Sequence, residues 1–114
     1  AYVDSPEEFH AAQRRFLTQF DAPALPGWET ARAAGDRFAA AMAEILAKHP
    51  AHESVCVVSH ATVLTLYVAR LAGLAPDFDT WRATGFAAIL AVDRATMQPL
   101  TPFLDAPYAG LPGL

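Results

Sequence analysis

The sequence holds a single cysteine, Cys56, among 114 residues. The chain can therefore build neither an internal disulfide nor a cysteine-based zinc site. Cys56 lies inside an apolar run, which predicts a buried small hydrophobe in a reducing compartment. Charge is also sparse: 18% of residues are Asp, Glu, Lys or Arg, and the eight basic ones form no run and no stripe interleaved with aromatics. With a formal net charge of −4, no nucleic-acid partner is expected. Prolines, glycines and charges interrupt every apolar stretch before it reaches bilayer length, and no signal-peptide pattern opens the chain. The expected setting is cytoplasmic, with no membrane partner. The first residue is Ala1 rather than methionine, which fits either routine methionine removal or a beginning that has been cut away. Internal repeats and low-complexity blocks are missing too.

What is present is 54% hydrophobic residues in one short chain. That is too apolar for disorder and long enough for one core, so residues 1–114 are expected to form a single domain or part of one. Ser5-Pro6-Glu7-Glu8 is a capping box with proline at the first helical position. Phe9, Ala12, Phe16, Leu17 and Phe20 follow at helical spacing, which predicts a helix from Pro6 to Phe20. Pro23, Pro26 and Gly27 then impose a loop. A second helix is predicted from Glu29 to Lys48, with Ala31, Ala34, Phe38, Met42, Ile45 and Leu46 on one face and Pro50 as its stop. Ser54 to Ser59 reads as a central strand covered on both sides, because apolar residues occupy both of its faces. Thr62 to Leu71 forms a third helix that Gly73 closes. Residues 75–82 read as irregular or one helical turn, Phe86 to Val92 as a strand, and Thr101 to Leu104 as a weaker edge strand. Residues 105–114 read as a loosely ordered tail.

Helices alternating with buried strands predict an α/β layer fold with a mostly parallel sheet covered by helices. In such folds ligands collect where strands end and helix N-termini present unpaired N–H groups. Ser59-His60-Ala61-Thr62 falls at that junction. His60 would stand at the strand exit, with the amides of Ala61, Thr62 and Val63 beside it as a cradle for a phosphoryl or carboxylate group. Spacing alone equally allows His60 to close the strand end by bonding a neighbouring loop.

Three segments in order bear on that choice. Val57-Val58-Ser59-His60-Ala61 resembles the V-S-H-G segment of the histidine phosphatases, the phosphoglycerate mutase-like superfamily. Pro26-Gly27-Trp28-Glu29-Thr30 resembles the P-G-G-E-S segment that opens a long helix in many members. Thr84 to Asp93 resembles the following strand, which ends in an acidic residue. The resemblance covers about Pro6 to Asp93 and implies a phosphoglycerate mutase-like sheet. It also implies hydrolysis of phosphomonoesters, or mutase-like phosphoryl transfer, through a phosphohistidine. His60 would be the second active-site histidine, donating to phosphoryl oxygens, with the Ala61 amide binding phosphate and no cofactor. The substrate implied is a phosphorylated small molecule.

The chain departs from that pattern in one decisive place. No R-H-G segment, which carries the nucleophilic histidine in the family, occurs anywhere in the sequence, and no segment matches the two arginines or the acidic proton donor. The fold is accordingly expected to lack its N-terminal strand, and the 114-residue chain alone is expected to be inactive. It is further expected to form a homo-oligomer or to associate with the missing N-terminal segment. The alternative is a non-catalytic remnant or half-domain that acts as an association module. Ala61 replaces the family's glycine, which is tolerated if its φ is negative. Glu29 reads as a dipole or capping group at a helix start, with a pocket role as the second reading. His10, His49 and His52 read as surface residues, Arg82 as half of an exposed ion pair, and Trp28, Trp81 and Phe86 as packing groups. Pro50 separates His49 from His52, so no metal pair is expected.

Overall fold

In the computed structural model, which describes residues 5–112, local capping chemistry sets the helices. The first, α1 (Pro6–Thr18), starts where the Ser5 hydroxyl accepts from the Glu8 amide at 3.1 Å and Pro6 pre-sets the first turn. The second, α2 (Ala31–Ala47), begins two residues later than the spacing predicts, because Thr30 itself is the cap and accepts from the Ala33 amide at 3.1 Å. A cap must hold extended backbone angles, and Thr30 does (φ −77°, ψ 160°). The third, α3 (Ala61–Ala72), ends on Gly73 in the left-handed conformation (φ 70°), as its sequence predicts. The short stretch before Arg82 is a true helix, α4 (Phe78–Ala83), capped by the Asp77 carboxylate, which accepts from the Thr80 amide at 2.9 Å.

The expected mostly parallel sheet is not there. Among the described residues no strand ladder forms, and pairing is limited to two isolated antiparallel bridges, Ile89 with Leu104 and Val92 with Pro99. The reason is visible at each place. Ile89 and Leu104 exchange N–H···O bonds of 2.9 and 2.7 Å, but Pro99 and Pro102 have no N–H to extend that pairing. The Ala91 amide turns instead to the Thr101 hydroxyl at 3.1 Å. Residues 54–59 take no regular structure, and among the described residues no backbone group pairs with theirs. Burial there alternates: Val55, Val57 and Ser59 lean on the body, whereas Cys56, Val58 and His60 face solvent. The segment is thus covered on one side rather than two, and Cys56 is exposed rather than buried. Residues 105–112 are tied at one point, where the Tyr108 hydroxyl donates to the Ala87 carbonyl at 2.7 Å; residues 113 and 114 of the expected tail lie outside the described residues.

The core is helical. Phe16 and Leu17 of α1, Ala24 of the following loop, Ala31 and Ala34 of α2, Leu66 of α3 and Phe78 of α4 form its buried cluster, with Phe20, Trp28 and Trp81 packed against it. Phe86, expected to pack, is fully exposed. The accessible surface is 7340 Å² for a 12.2 kDa chain, against about 6,100 Å² for a closed globule of that mass. The radius of gyration of 15.0 Å likewise exceeds the roughly 13 Å of a compact chain of this length. One side of the core is open, and residues 54–59 lie on the exposed part. No helix among the described residues is long and apolar enough to cross a membrane.

Thr65, on the buried face of α3, is 3% exposed and its hydroxyl has no hydrogen-bond partner among the described residues. Burying an unpaired hydroxyl costs free energy that an isosteric methyl does not. Thr65→Val should therefore raise unfolding stability by about 1 kcal/mol, seen as a melting temperature a few degrees higher. A lower melting temperature would reveal a partner for the hydroxyl.

Candidate functional site

The exposed segment 54–59 delivers His60 to the start of α3. His60 is the N-cap residue there, in extended conformation (φ −102°, ψ 153°), and its carbonyl accepts the first helical bond from Leu64 at 3.1 Å. Its side chain does no capping. The other three helices each have a side-chain cap, so α3 alone starts with its first-turn amides, Ala61 to Val63, unclaimed by a cap. The His60 imidazole is exposed and makes no hydrogen bond with the described residues. Ala61 is the first helical residue and is not among those with positive φ, so the methyl that replaces glycine brings no backbone strain.

Beside this end of α3 opens a cleft of about 230 Å³, with Gln13 and Phe16 of α1, Trp28 and Glu29 of the loop before α2, and Thr62 and Val63 of α3 in its walls. The structure therefore brings Glu29 to the first turn of α3, although His60 and Ala61 are not themselves walls of the cleft. Glu29 is not the cap of α2, a role Thr30 fills. Its carboxylate accepts from the Arg37 guanidinium at 2.7 Å, an exposed pair that holds the Arg37 proton still more firmly.

The floor of the site comes from residues the sequence did not single out for chemistry. The Trp81 indole donates to the Thr62 hydroxyl at 3.0 Å, joining α4 to the start of α3 across 19 residues of chain. Trp81 is itself clamped among Phe9, His10 and Phe78, with ring centroids 5.5–6.1 Å away. His10 is consequently a half-buried packing group rather than a surface residue. His49 and His52 are exposed, as expected, and His49 sits 3.0 Å from a Glu53 oxygen. Arg82 is exposed without an ion pair among the described residues. Gln13 had a legible signal, because it interrupts the apolar stripe of α1 at a position that the stripe buries. Trp81 with Thr62 had none.

The region thus combines an uncapped helix start, an exposed histidine and a cleft beside them. The model of the histidine phosphatase superfamily (branch 1) matches residues 2–99. The chain belongs to the histidine phosphatase superfamily. That match runs through all four helices and both sides of the Val92–Pro99 bridge, and it carries phosphatase- or mutase-type function at the level of the superfamily. Among curated proteins and among solved structures nothing matches the chain. For this superfamily member the Thr84–Asp93 segment is not a strand; Asp93 instead accepts from the amides of Ala95 and Thr96 in a turn, at 3.0 and 2.8 Å.

Asp77 supports the site from behind, since it caps the helix that carries Trp81. The Thr80 hydroxyl and then the Thr80 amide, both bonded to its carboxylate, hold its pKa below the ordinary 3.8. A carboxylate depressed by folding adds stability that is present above its unfolded pKa and is lost as pH falls through the folded one. Asp77→Ala should therefore melt at a lower temperature than the parent at pH 7. The difference should shrink as pH drops from about 4 towards 2, the range below the ordinary carboxylate value. A gap that stays constant down to pH 2 would show that charge plays no part in the cap.

Proposed function

We propose that His60 works on the phosphoryl group of a phosphomonoester as the partner of a nucleophilic histidine that lies outside this sequence. The single observation that carries this is the exposed, unbonded His60 imidazole at the uncapped start of α3. In this reading the amides of Ala61 to Val63 and the His60 N–H donate to the phosphoryl oxygens, whose charge spreads as the ester bond loosens. The attacking imidazole forms a P–N bond while the P–O ester bond breaks. The electron pair leaves with the ester oxygen, which takes a proton from an acid group not present in this chain. Water then cleaves the P–N bond and releases phosphate. Hydrolysis and transfer to a second acceptor share the first half of this sequence, and specificity between them belongs to the acceptor.

The test has two arms. The pure 114-residue chain should not hydrolyse p-nitrophenyl phosphate, because it has no attacking histidine. When a segment carrying that histidine is supplied and turnover appears, His60→Ala should lower the rate by roughly a hundredfold or more, with the fold intact by circular dichroism. An unchanged rate with a lower melting temperature would make His60 structural.

A second reading, association without chemistry, draws on residues 54–59. Among the described residues these make no backbone–backbone hydrogen bonds, and Val58 is 90% exposed. An unpaired segment beside exposed apolar side chains recruits another polypeptide, either a second copy or a separate N-terminal segment. Light scattering with intact mass spectrometry should find a dimer or larger assembly, or a second polypeptide retained; about 1,200 Å² of buried surface would suffice. A 12.2 kDa monomer at high micromolar concentration would end this reading.

A further inference from the structure

Residues 54–59 form an edge that the chain leaves unprotected. Burial alternates along them, with Val55, Val57 and Ser59 half-buried and Ser54, Cys56 and Val58 exposed, which is the two-residue period of a strand. Three of the six are valines, and His60, the next residue, holds extended angles (φ −102°, ψ 153°). Among the described residues no backbone group pairs with theirs. Sheet edges that stay single are usually blunted by a charge, a proline or a bulge. Ser54-Val55-Cys56-Val57-Val58-Ser59 has neither charge nor proline, and it opens the longest stretch of the sequence without Asp, Glu, Lys or Arg, which runs from Ser54 to Ala69.

Area shows how much cover the chain can accept. Its accessible surface exceeds that of a closed globule of the same mass by about 1,200 Å². A specific dimer takes about 600–1,000 Å² from each copy, so the excess on one chain meets what a dimer needs. Charge favours this place for it. Two copies that each carry a net charge of −4 repel, and they meet at least cost where neither has a charge. A two-fold pair uses the same patch on both chains, and an uncharged, β-branched segment opposes itself without conflict.

We propose that two copies of this chain pair antiparallel along residues 54–59, about a two-fold axis at Val57. Such an axis makes one residue face itself, and the alternation of exposed and half-buried residues keeps each pair on one side. Centred on Val57, Cys56 of each copy opposes Val58 of the other, Val55 opposes Ser59, and Ser54 opposes His60. Centred on Cys56, Val58 would oppose Ser54 and His52 would oppose His60, which leaves the 90% exposed valine without an apolar partner. The pairing about Val57 sets the Ser54 hydroxyl of one copy against the His60 imidazole of the other, so each candidate site takes one group from the second chain. The assignment rests on the reading of residues 54–59 as an association edge and adds to it the partner and the register.

The experiment sizes the 114-residue chain by light scattering with intact mass spectrometry and then fixes the register by crosslinking. The parent should be a dimer at high micromolar concentration. Val58→Lys should raise the dimer Kd about tenfold or more, because each substitution counts twice in a symmetric pair, while circular dichroism stays unchanged. For the register, a tagged parent chain, whose Cys56 is its one thiol, is mixed with an untagged chain carrying Cys56→Ser and Val58→Cys and is oxidised gently. The mixed disulfide should form ahead of either chain linked to itself, since directly opposed Cβ atoms lie about 5 Å apart and diagonal ones about 7 Å. Self-linkage of the parent in its place, or no linkage at all, would overturn the register. A dimer that Val58→Lys leaves as tight as the parent overturns the segment as the interface. A monomer that retains a second polypeptide overturns the second copy and leaves the association reading standing, whereas a monomer with none ends both.

Discussion

The contact between α2 and α3 is the constraint on which the rest depends. α2 presents Ala31, Ala34 and Gly35, all buried, and this small-residue face lets α3 approach closely enough to seat Leu66, 4% exposed, in the core. Arg70 of α3 donates to Asp36 of α2 at 2.5 Å and links the two helices. Phe38 and Tyr67 lock the same interface edge to face at 5.3 Å. Burial there pushes the Tyr67 hydroxyl pKa up, as expected for a phenol losing water. With α3 fixed along its length, its first turn is fixed as well, and the position of His60 follows from the helix rather than from any bond of its own side chain.

A helix anchored along its side still has a start that must be defended. Three elements converge on that start: Trp81 from α4, Gln13 and Phe16 from α1, and the Trp28-Glu29 loop. At the far ends, Gln98 donates to the Leu71 carbonyl and Arg94 donates to the carbonyls of Leu46 and His49. These two side chains tie the 86–104 segment to carbonyls at or just beyond the C-terminal ends of α2 and α3. The 86–104 segment thus clasps the back of the helix pair and leaves the face that holds His60 open. The fixing contacts lie behind the start of α3, and His60 stands exposed in front of it.

The helices were legible because their signals are local. Ser5 with Pro6, Pro50 and Gly73 act within one turn of themselves, and the structure places them where the sequence does, to within two residues at α2. The sheet was misjudged because strand identity is not local. Val55, Val57 and Val58 have the composition of a buried strand, but a strand requires a neighbour, and composition does not provide one. The same applies to Phe86, whose apolar character says nothing of what covers it. For the candidate site, the position of His60 and Ala61 at the start of a helix was legible from the sequence, whereas Glu29, read first as a capping group, lies in the cleft wall while Thr30 does the capping. The Trp81–Thr62 bond was not legible, because it joins positions related by no periodicity. Gln13 lay in between: its misfit with the α1 stripe was readable, but its meaning depends on the cleft.

Division of labour among the helices explains why these residues differ in legibility. In the proposed reading, phosphoryl recognition would use backbone amides and one imidazole on a single contiguous stretch, 60–63, which leaves a motif behind. The cleft beside it takes its walls from α1, the loop before α2, α2 and α3, which meet only in three dimensions. Such contacts change without disturbing the amides, since replacing Gln13 or Trp28 alters one wall and leaves the start of α3 in place. α4 reaches this region through one indole N–H, which joins Trp81 to Thr62 in the first turn of α3 and ties the aromatic cluster of Phe78 and Trp81 to that turn.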